Sequence, residues 1–134
     1  MEVRHSIANT ALAVSICAFI AIANASAQRD ISVESADSLI RNTANIVILD
    51  VRTPEEYRLG HLPNANGFDF YDSKFIDSIS KLPKDAVILV YSRTGKRSAE
   101  ALDILGNLKY SRIHTMLGGF LAWKNEGRPI RKGK

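Results

Sequence analysis

Two uninterrupted apolar runs, Ile46–Leu49 (IVIL) and Ala86–Val90 (AVILV), constrain this chain more than any other feature. A strand with one face in water alternates apolar and polar residues, so an unbroken aliphatic run belongs to a strand covered on both faces. Such strands sit in parallel sheets, where neighbours are joined by crossovers that are usually helices. The rest of the sequence supplies those helices. Thr53-Pro54-Glu55-Glu56 has the form of a capping box with proline at the first helical position, and Gly60 marks where that helix stops. Phe75, Ile76, Ile79 and Leu82 recur at helical spacing ahead of Pro83. Ala101, Leu102, Leu105 and Leu108 form one stripe of a helix over Arg97–Leu108. Towards the N-terminus, Ile31–Val33 reads as a short strand, with Ser35 capping a helix that runs to about Arg41. Ile113–Met116 reads as the last strand, turned by Leu117-Gly118-Gly119 into a helix carrying Phe120, Leu121 and Trp123. This alternation predicts an α/β layered domain with a mostly parallel sheet.

The first residues follow a different logic. A weakly basic start with Arg4 and His5 leads into the apolar run Ala11–Ala23 and then Ala25-Ser26-Ala27. These are the parts of a secretory signal peptide over 1–27, with cleavage after Ala27 and a single domain over 28–134. The apolar run falls short of the roughly 20 residues that span a bilayer, so no stable membrane anchor is expected. Export is expected, to the periplasm if the cell is Gram-negative. The single cysteine, Cys17, lies inside that run. The exported domain therefore has no thiol for a disulfide, a thiolate metal site or a nucleophile.

Charge excludes less than it first suggests. The net charge is +4, and Arg128, Arg131, Lys132 and Lys134 supply as many positive charges near the C-terminus. A basic tail on a neutral body is read as solvated, and with an aromatic share of 7% the chain offers little for nucleic acid. No nucleic-acid partner is expected.

In open α/β sheets ligands bind beyond the carboxyl ends of the strands. Two points qualify here, Asp50-Val51-Arg52 after the first run and Ser92-Arg93-Thr94-Gly95-Lys96-Arg97 after the second. The second places three cations and a glycine between a buried strand and a helix, a combination that favours an anion. It equally fits an ordinary βα turn whose hydroxyls cap the helix and whose charges face water. GxxxxGK[ST] is absent, so the loop is no nucleotide-binding P-loop.

At this point the chain resembles the rhodanese-like domain family. The resemblance is carried by four stretches in order: Leu49–Tyr57 (LDVRTPEEY), Gly60–Ala65 (GHLPNA), Tyr91–Ser98 (YSRTGKRS), and Leu117–Trp123 with Gly127-Arg128-Pro129. It implies the rhodanese-like three-layer α/β/α fold and the family's sulfur chemistry. Members that transfer sulfur begin the loop with a cysteine that accepts a sulfane sulfur from a donor such as thiosulfate and passes it to cyanide or a thiol. Here Ser92 stands at that position. A hydroxyl hardly ionises near neutral pH, whereas a thiol in a cationic loop does. Asn64 replaces the family's glycine in its turn, where asparagine tolerates the same left-handed backbone. The six-residue span from Ser92 to Arg97 matches the family's sulfur-transfer length, and phosphatases of this fold use a longer loop.

The resulting expectation is a domain that has kept the anion-binding loop (Arg93, Thr94, Gly95, Lys96, Arg97, Ser98) and lost the nucleophile at Ser92. Asp50 and Arg52 are possible supporting residues, read first as a structural ion pair, with Glu56 as a helix cap or a partner for Arg52. The partner is a small sulfur oxyanion such as thiosulfate or sulfate, or a protein. No cofactor or metal is implied. One alternative is a thiosulfate sulfurtransferase whose cysteine is substituted in this sequence. Another is a serine- or phosphate-directed hydrolase, which needs a base for Ser92 from His61 or His114. His61 reads as part of a turn, His114 as a strand residue, and Trp123 as core.

Overall fold

The computed structural model describes residues 29–134, and the expected signal segment lies outside the described residues. Ten elements follow in the order β1 (Arg29–Ile31), α1 (Val33–Asn42), β2 (Val47–Asp50), α2 (Pro54–Leu59), β3 (Asn66–Gly67), α3 (Phe75–Ser80), β4 (Ile88–Tyr91), α4 (Lys96–Asn107), β5 (Ile113–Met116) and α5 (Gly119–Asn125). The five strands form one sheet in the order β1-β5-β4-β2-β3, every neighbouring pair parallel.

The two apolar runs become β2 and β4, and their side chains divide between the faces of the sheet. Ile48, Leu89 and Met116 pack with Val33 and Ala36 of α1 and Phe120 and Trp123 of α5. Leu49, Ile88, Val90 and Ile113 pack on the other side with Phe75 and Ile79 of α3 and Ala101 and Leu105 of α4. The three layers follow directly from that division. Each such large side chain removed from water contributes on the order of 1.5–3 kcal/mol.

Several local expectations shift. The first helix begins at Val33, because Ser32 rather than Ser35 adopts the extended cap conformation and its hydroxyl accepts from the Ser35 N–H at 3.1 Å. The capping box at Thr53 forms as expected, with Thr53 and Glu56 exchanging side-chain-to-backbone bonds, and α2 stops at Gly60. Phe75 and Ile79 are buried, but Ile76 is 53% exposed. Asn64 has φ +62°, the left-handed conformation expected of it.

The C-terminal stretch is not simply solvated. Arg131 and His61 exchange backbone hydrogen bonds of 2.8 and 2.9 Å, and the Gly133 N–H donates to the Arg58 carbonyl at 2.9 Å. The Trp123 indole donates to the Pro129 carbonyl, and Arg128 pairs with Asp37 at 2.6 Å. The last residues thus form an extended strap across α2. Among the described residues no helix is long and apolar enough to cross a membrane.

Candidate functional site

Register brings the two candidate loops together. β2 and β4 run in step, from Val47 beside Ile88 to Asp50 beside Tyr91, so both strands end at one level. The Val51 N–H donates to the Tyr91 carbonyl at 3.1 Å, and the turns that follow lie side by side.

The turn after β2 is a buried polar network. Arg52 forms a bidentate pair with Asp50 at 2.6 and 2.9 Å, and its guanidinium also donates to the Gly60 carbonyl at 2.6 Å. The Tyr91 hydroxyl donates to Asp50 at 2.6 Å and accepts from the Leu62 N–H at 3.0 Å. The Arg52 guanidinium lies 4.1 Å from the centre of the Phe120 ring. Burial opposes the Arg52 charge, but the hydrogen bonds and charge of Asp50 prevail and hold it above its ordinary value. Burial, then the Asp50 charge, pushes the Tyr91 hydroxyl far up, so it remains a donor. Asp50 and Arg52 thus form the ion pair read from the sequence.

The turn after β4 wraps around one side chain. Ser92 is 1% exposed, and its Oγ accepts from the N–H groups of Gly95 and Ser98, both at 3.2 Å, while standing 3.3 Å from the Ser98 Oγ. The Ser98 hydroxyl donates to the Gly95 carbonyl at 3.0 Å. Gly95 has φ +113°, a conformation that favours glycine, and it caps α4. From outside, α5 holds the loop: the Phe120 N–H donates to the Ser92 carbonyl at 2.8 Å and the Leu121 N–H to the Arg93 carbonyl at 3.1 Å. That approach requires Gly119, since a Cβ there would stand 2.4 Å from the Ser92 carbonyl oxygen.

The three loop cations do not act alike. Arg97 makes a bidentate pair with Glu56 at 2.9 and 3.0 Å, so Glu56 serves Arg97 and the Thr53 cap, not Arg52. Burial raises the Glu56 carboxyl, but hydrogen bonds from Arg97 and the Thr53 backbone outweigh it and hold Glu56 below the usual range. The Glu56 hydrogen bond raises Arg97 in turn. Arg93, Thr94 and Lys96 are exposed, and neither cation has a carboxylate partner among the described residues.

Neither histidine serves Ser92. His61 is buried, stacked 3.7 Å from the Tyr57 ring, and its Nδ1 lies 2.8 Å from the Tyr57 carbonyl oxygen. His114 lines a different cleft with Ser35, Leu39 and Thr43. Among the described residues no three His, Cys, Asp or Glu side chains converge to hold a metal ion. Local sequence reasoning missed the Glu56–Arg97 pair and the Tyr91 hydroxyl, whose partners are far apart in the chain. It also missed the α5 amides, for which the Gly118-Gly119 pair was the available signal.

The model for the rhodanese-like domain matches residues 32–126. A sulfurtransferase of Allochromatium vinosum is 32% identical over 75% of this chain and 92% of its own length. The thiosulfate sulfurtransferase GlpE of Ectopseudomonas mendocina is 30% identical over 70% of this chain and 83% of its own. A probable adenylyltransferase/sulfurtransferase of Mycobacterium tuberculosis is matched over only 21% of its length. The crystal structure of a rhodanese-related protein from Thermoplasma volcanium superposes with a TM-score of 0.68 at 28% identity, covering 77% of this chain and 97% of that one.

Proposed function

The chain belongs to the rhodanese-like domain family, and on that premise we propose that it is an exported member that does not transfer sulfur. Its loop instead holds a small sulfur oxyanion, such as thiosulfate or sulfate, or supports a protein partner. The observation that carries this reading is the state of Ser92. Its oxygen accepts two backbone N–H bonds at the base of the loop, and no histidine among the described residues is placed to deprotonate it. Sulfur transfer needs a thiolate there to take the sulfane sulfur and carry it as a persulfide, and residues 28–134 contain no cysteine. The same geometry speaks against the serine hydrolase alternative. Arg93 and Lys96, rather than Arg97, are the cations available to an anion, because Arg97 is already paired with Glu56. Export to a periplasm in a Gram-negative cell rests on the signal-like segment over 1–27.

A thiosulfate–cyanide assay of the protein beside Ser92→Cys tests the reading. The expected result is no thiocyanate from the serine form and measurable turnover from the cysteine form. Turnover by the serine form would refute the proposal. Thiosulfate should also shift the backbone amide resonances of Ser92–Ser98 saturably, and less so in the Arg93→Ala/Lys96→Ala double variant. A second reading, a thiosulfate sulfurtransferase whose cysteine is replaced here, is favoured by the retained six-residue loop. Turnover of Ser92→Cys equal to that of an active relative would support it.

A further inference from the structure

Beside the loop, and separate from Ser92, lies a cleft of about 270 Å³ bordered by Leu59, Phe120, Leu121 and Ile130, with Arg93, Lys124 and Lys132 at its sides. That volume is below the range of pockets for drug-sized ligands and suits a single large side chain. Leu59 is 77% exposed at its edge. Of the other charges here, Arg52 is neutralised by Asp50 and Glu56 by Arg97. Arg93, Lys124 and Lys132 have no carboxylate partner among the described residues. The cleft thus combines an apolar floor with an uncompensated positive rim.

The strap adds a second feature. Arg131 turns both its N–H and C=O inward to His61, and Gly133 turns its N–H inward to Arg58. In an extended chain the peptide groups of alternate residues face opposite sides, so those of Ile130 and Lys132 face outward. No described residue takes up their N–H or C=O groups. An extended edge with free backbone groups is a template for an added strand. Ile130 and Lys132 are also the strap residues that line the cleft.

We propose that the strap and cleft together form a docking site for an extended, acidic segment of another protein that carries one large apolar side chain. Backbone bonds to Ile130 and Lys132 would align the segment, its apolar side chain would fill the cleft, and its carboxylates would meet Lys124, Lys132 and Arg93. The charge of the rim selects an acidic partner. The recess selects a side chain over a flat lipid surface, and Phe120 is too buried to stack a nucleobase. The site gives a chemical class to the protein partner in the preceding reading but does not depend on the state of Ser92.

The test uses the intact ¹⁵N-labelled protein and the peptide acetyl-Glu-Asp-Leu-Glu-Asp-amide. Expected are saturable shifts at Lys124, Ile130 and Lys132, and at least tenfold slower amide exchange at Ile130 and Lys132 in the complex. Lys124→Glu with Lys132→Glu should weaken binding at least tenfold. Lys132→Pro, which removes an outward N–H and spares the inward bonds, should weaken binding while the shifts of β4 and α4 stay unchanged. Shifts without protection at Ile130, or undiminished binding by the charge-reversed variant, would overturn the proposal. So would equal affinity for phosphatidylglycerol vesicles or for oligothymidylate. Because neither substituted lysine belongs to the Ser92–Ser98 loop, thiosulfate shifts there separate failure of this site from failure of the loop.

Discussion

β2 ends in Asp50 and is followed by Arg52, and the neighbouring β4 is followed by Ser92 to Ser98. Both turns leave the sheet at the same level, yet their polar groups are disposed in opposite ways. In the first, Asp50, Arg52 and Tyr91 satisfy one another and the backbone of Gly60 and Leu62, and all are buried. In the second, the hydroxyls of Ser92 and Ser98 face inward and Arg93, Thr94 and Lys96 face solvent. The contrast teaches that proximity to a strand's carboxyl end does not make a charged residue functional. A charge paired within its own turn is buried with its partner, and one without a partner stands in solvent.

The comparison breaks most severely at Asp50. Asp50→Asn would leave the Arg52 guanidinium buried without its counter-charge, a loss of about 3–5 kcal/mol that urea unfolding should register. A loss below about 1 kcal/mol would mean that the network is not what holds the first turn. Gly119→Ala comes next. The new methyl would meet the Ser92 and Arg93 carbonyls at 2.4 and 2.6 Å from a backbone at φ +59°. A cost of about 2–3 kcal/mol is expected, with amide shifts concentrated in the loop after β4 rather than in the turn after β2.

Tyr91→Phe sharpens the comparison because Tyr91 ends β4 but serves the network of β2. Removing its hydroxyl takes a donor from Asp50 and an acceptor from Leu62, which should cost about 1–2 kcal/mol. Thermal melting of the variant would measure it, and sulfur chemistry conferred by Ser92→Cys should survive the change.

The smallest effect belongs to Glu56, which ties the two turns together through Arg97. Its carboxyl titrates below its ordinary value in the folded protein, so its contribution is complete at neutral pH. That contribution fades as pH falls below about 4.5 and is gone below the folded value. Glu56→Gln should therefore destabilise by about 1 kcal/mol at pH 7, since the pair is only partly buried and glutamine keeps the capping bond to the Thr53 N–H. The difference from the parent protein should shrink in urea titrations at pH 3. A gap that widened on acidification would contradict the assigned direction.

How much of this was legible depended on the range of the interaction. The apolar runs, the Thr53 capping box, the Gly60 stop and the Asn64 turn could be read because each is set by neighbours within a few residues. The layered α/β fold with its parallel sheet followed from them, and the three-layer form from the resemblance. β3 could not be read, since Asn66–Gly67 carries no apolar pattern and is a strand only because β2 offers its edge. The Glu56–Arg97 pair joins residues 41 positions apart, and no local spacing announces it. The cap at Ser32 was misplaced at Ser35 because both serines suit the role and only the backbone angles decide. The strap was misread as solvated because its charges are exposed while its backbone bonds, invisible in composition, are directed inward. At the loop, the strand-to-helix turn over Ser92–Arg97 could be read from sequence, but the pairing of Arg97 with Glu56 that leaves Arg93 and Lys96 exposed could not.

The grip of α5 on the loop has a consequence for the order in which the protein is made. All five strands end by Met116, ahead in the chain of Phe120 and Leu121, whose amides fix the carbonyls of Ser92 and Arg93. The sheet is thus specified before the loop it serves, and the cradle around residue 92 takes its shape only when the last helix docks. A substitution at position 92 is therefore expected to act on the cradle and not on the strands, so amide exchange in Ser92→Cys should change in the loop after β4 and not in β2.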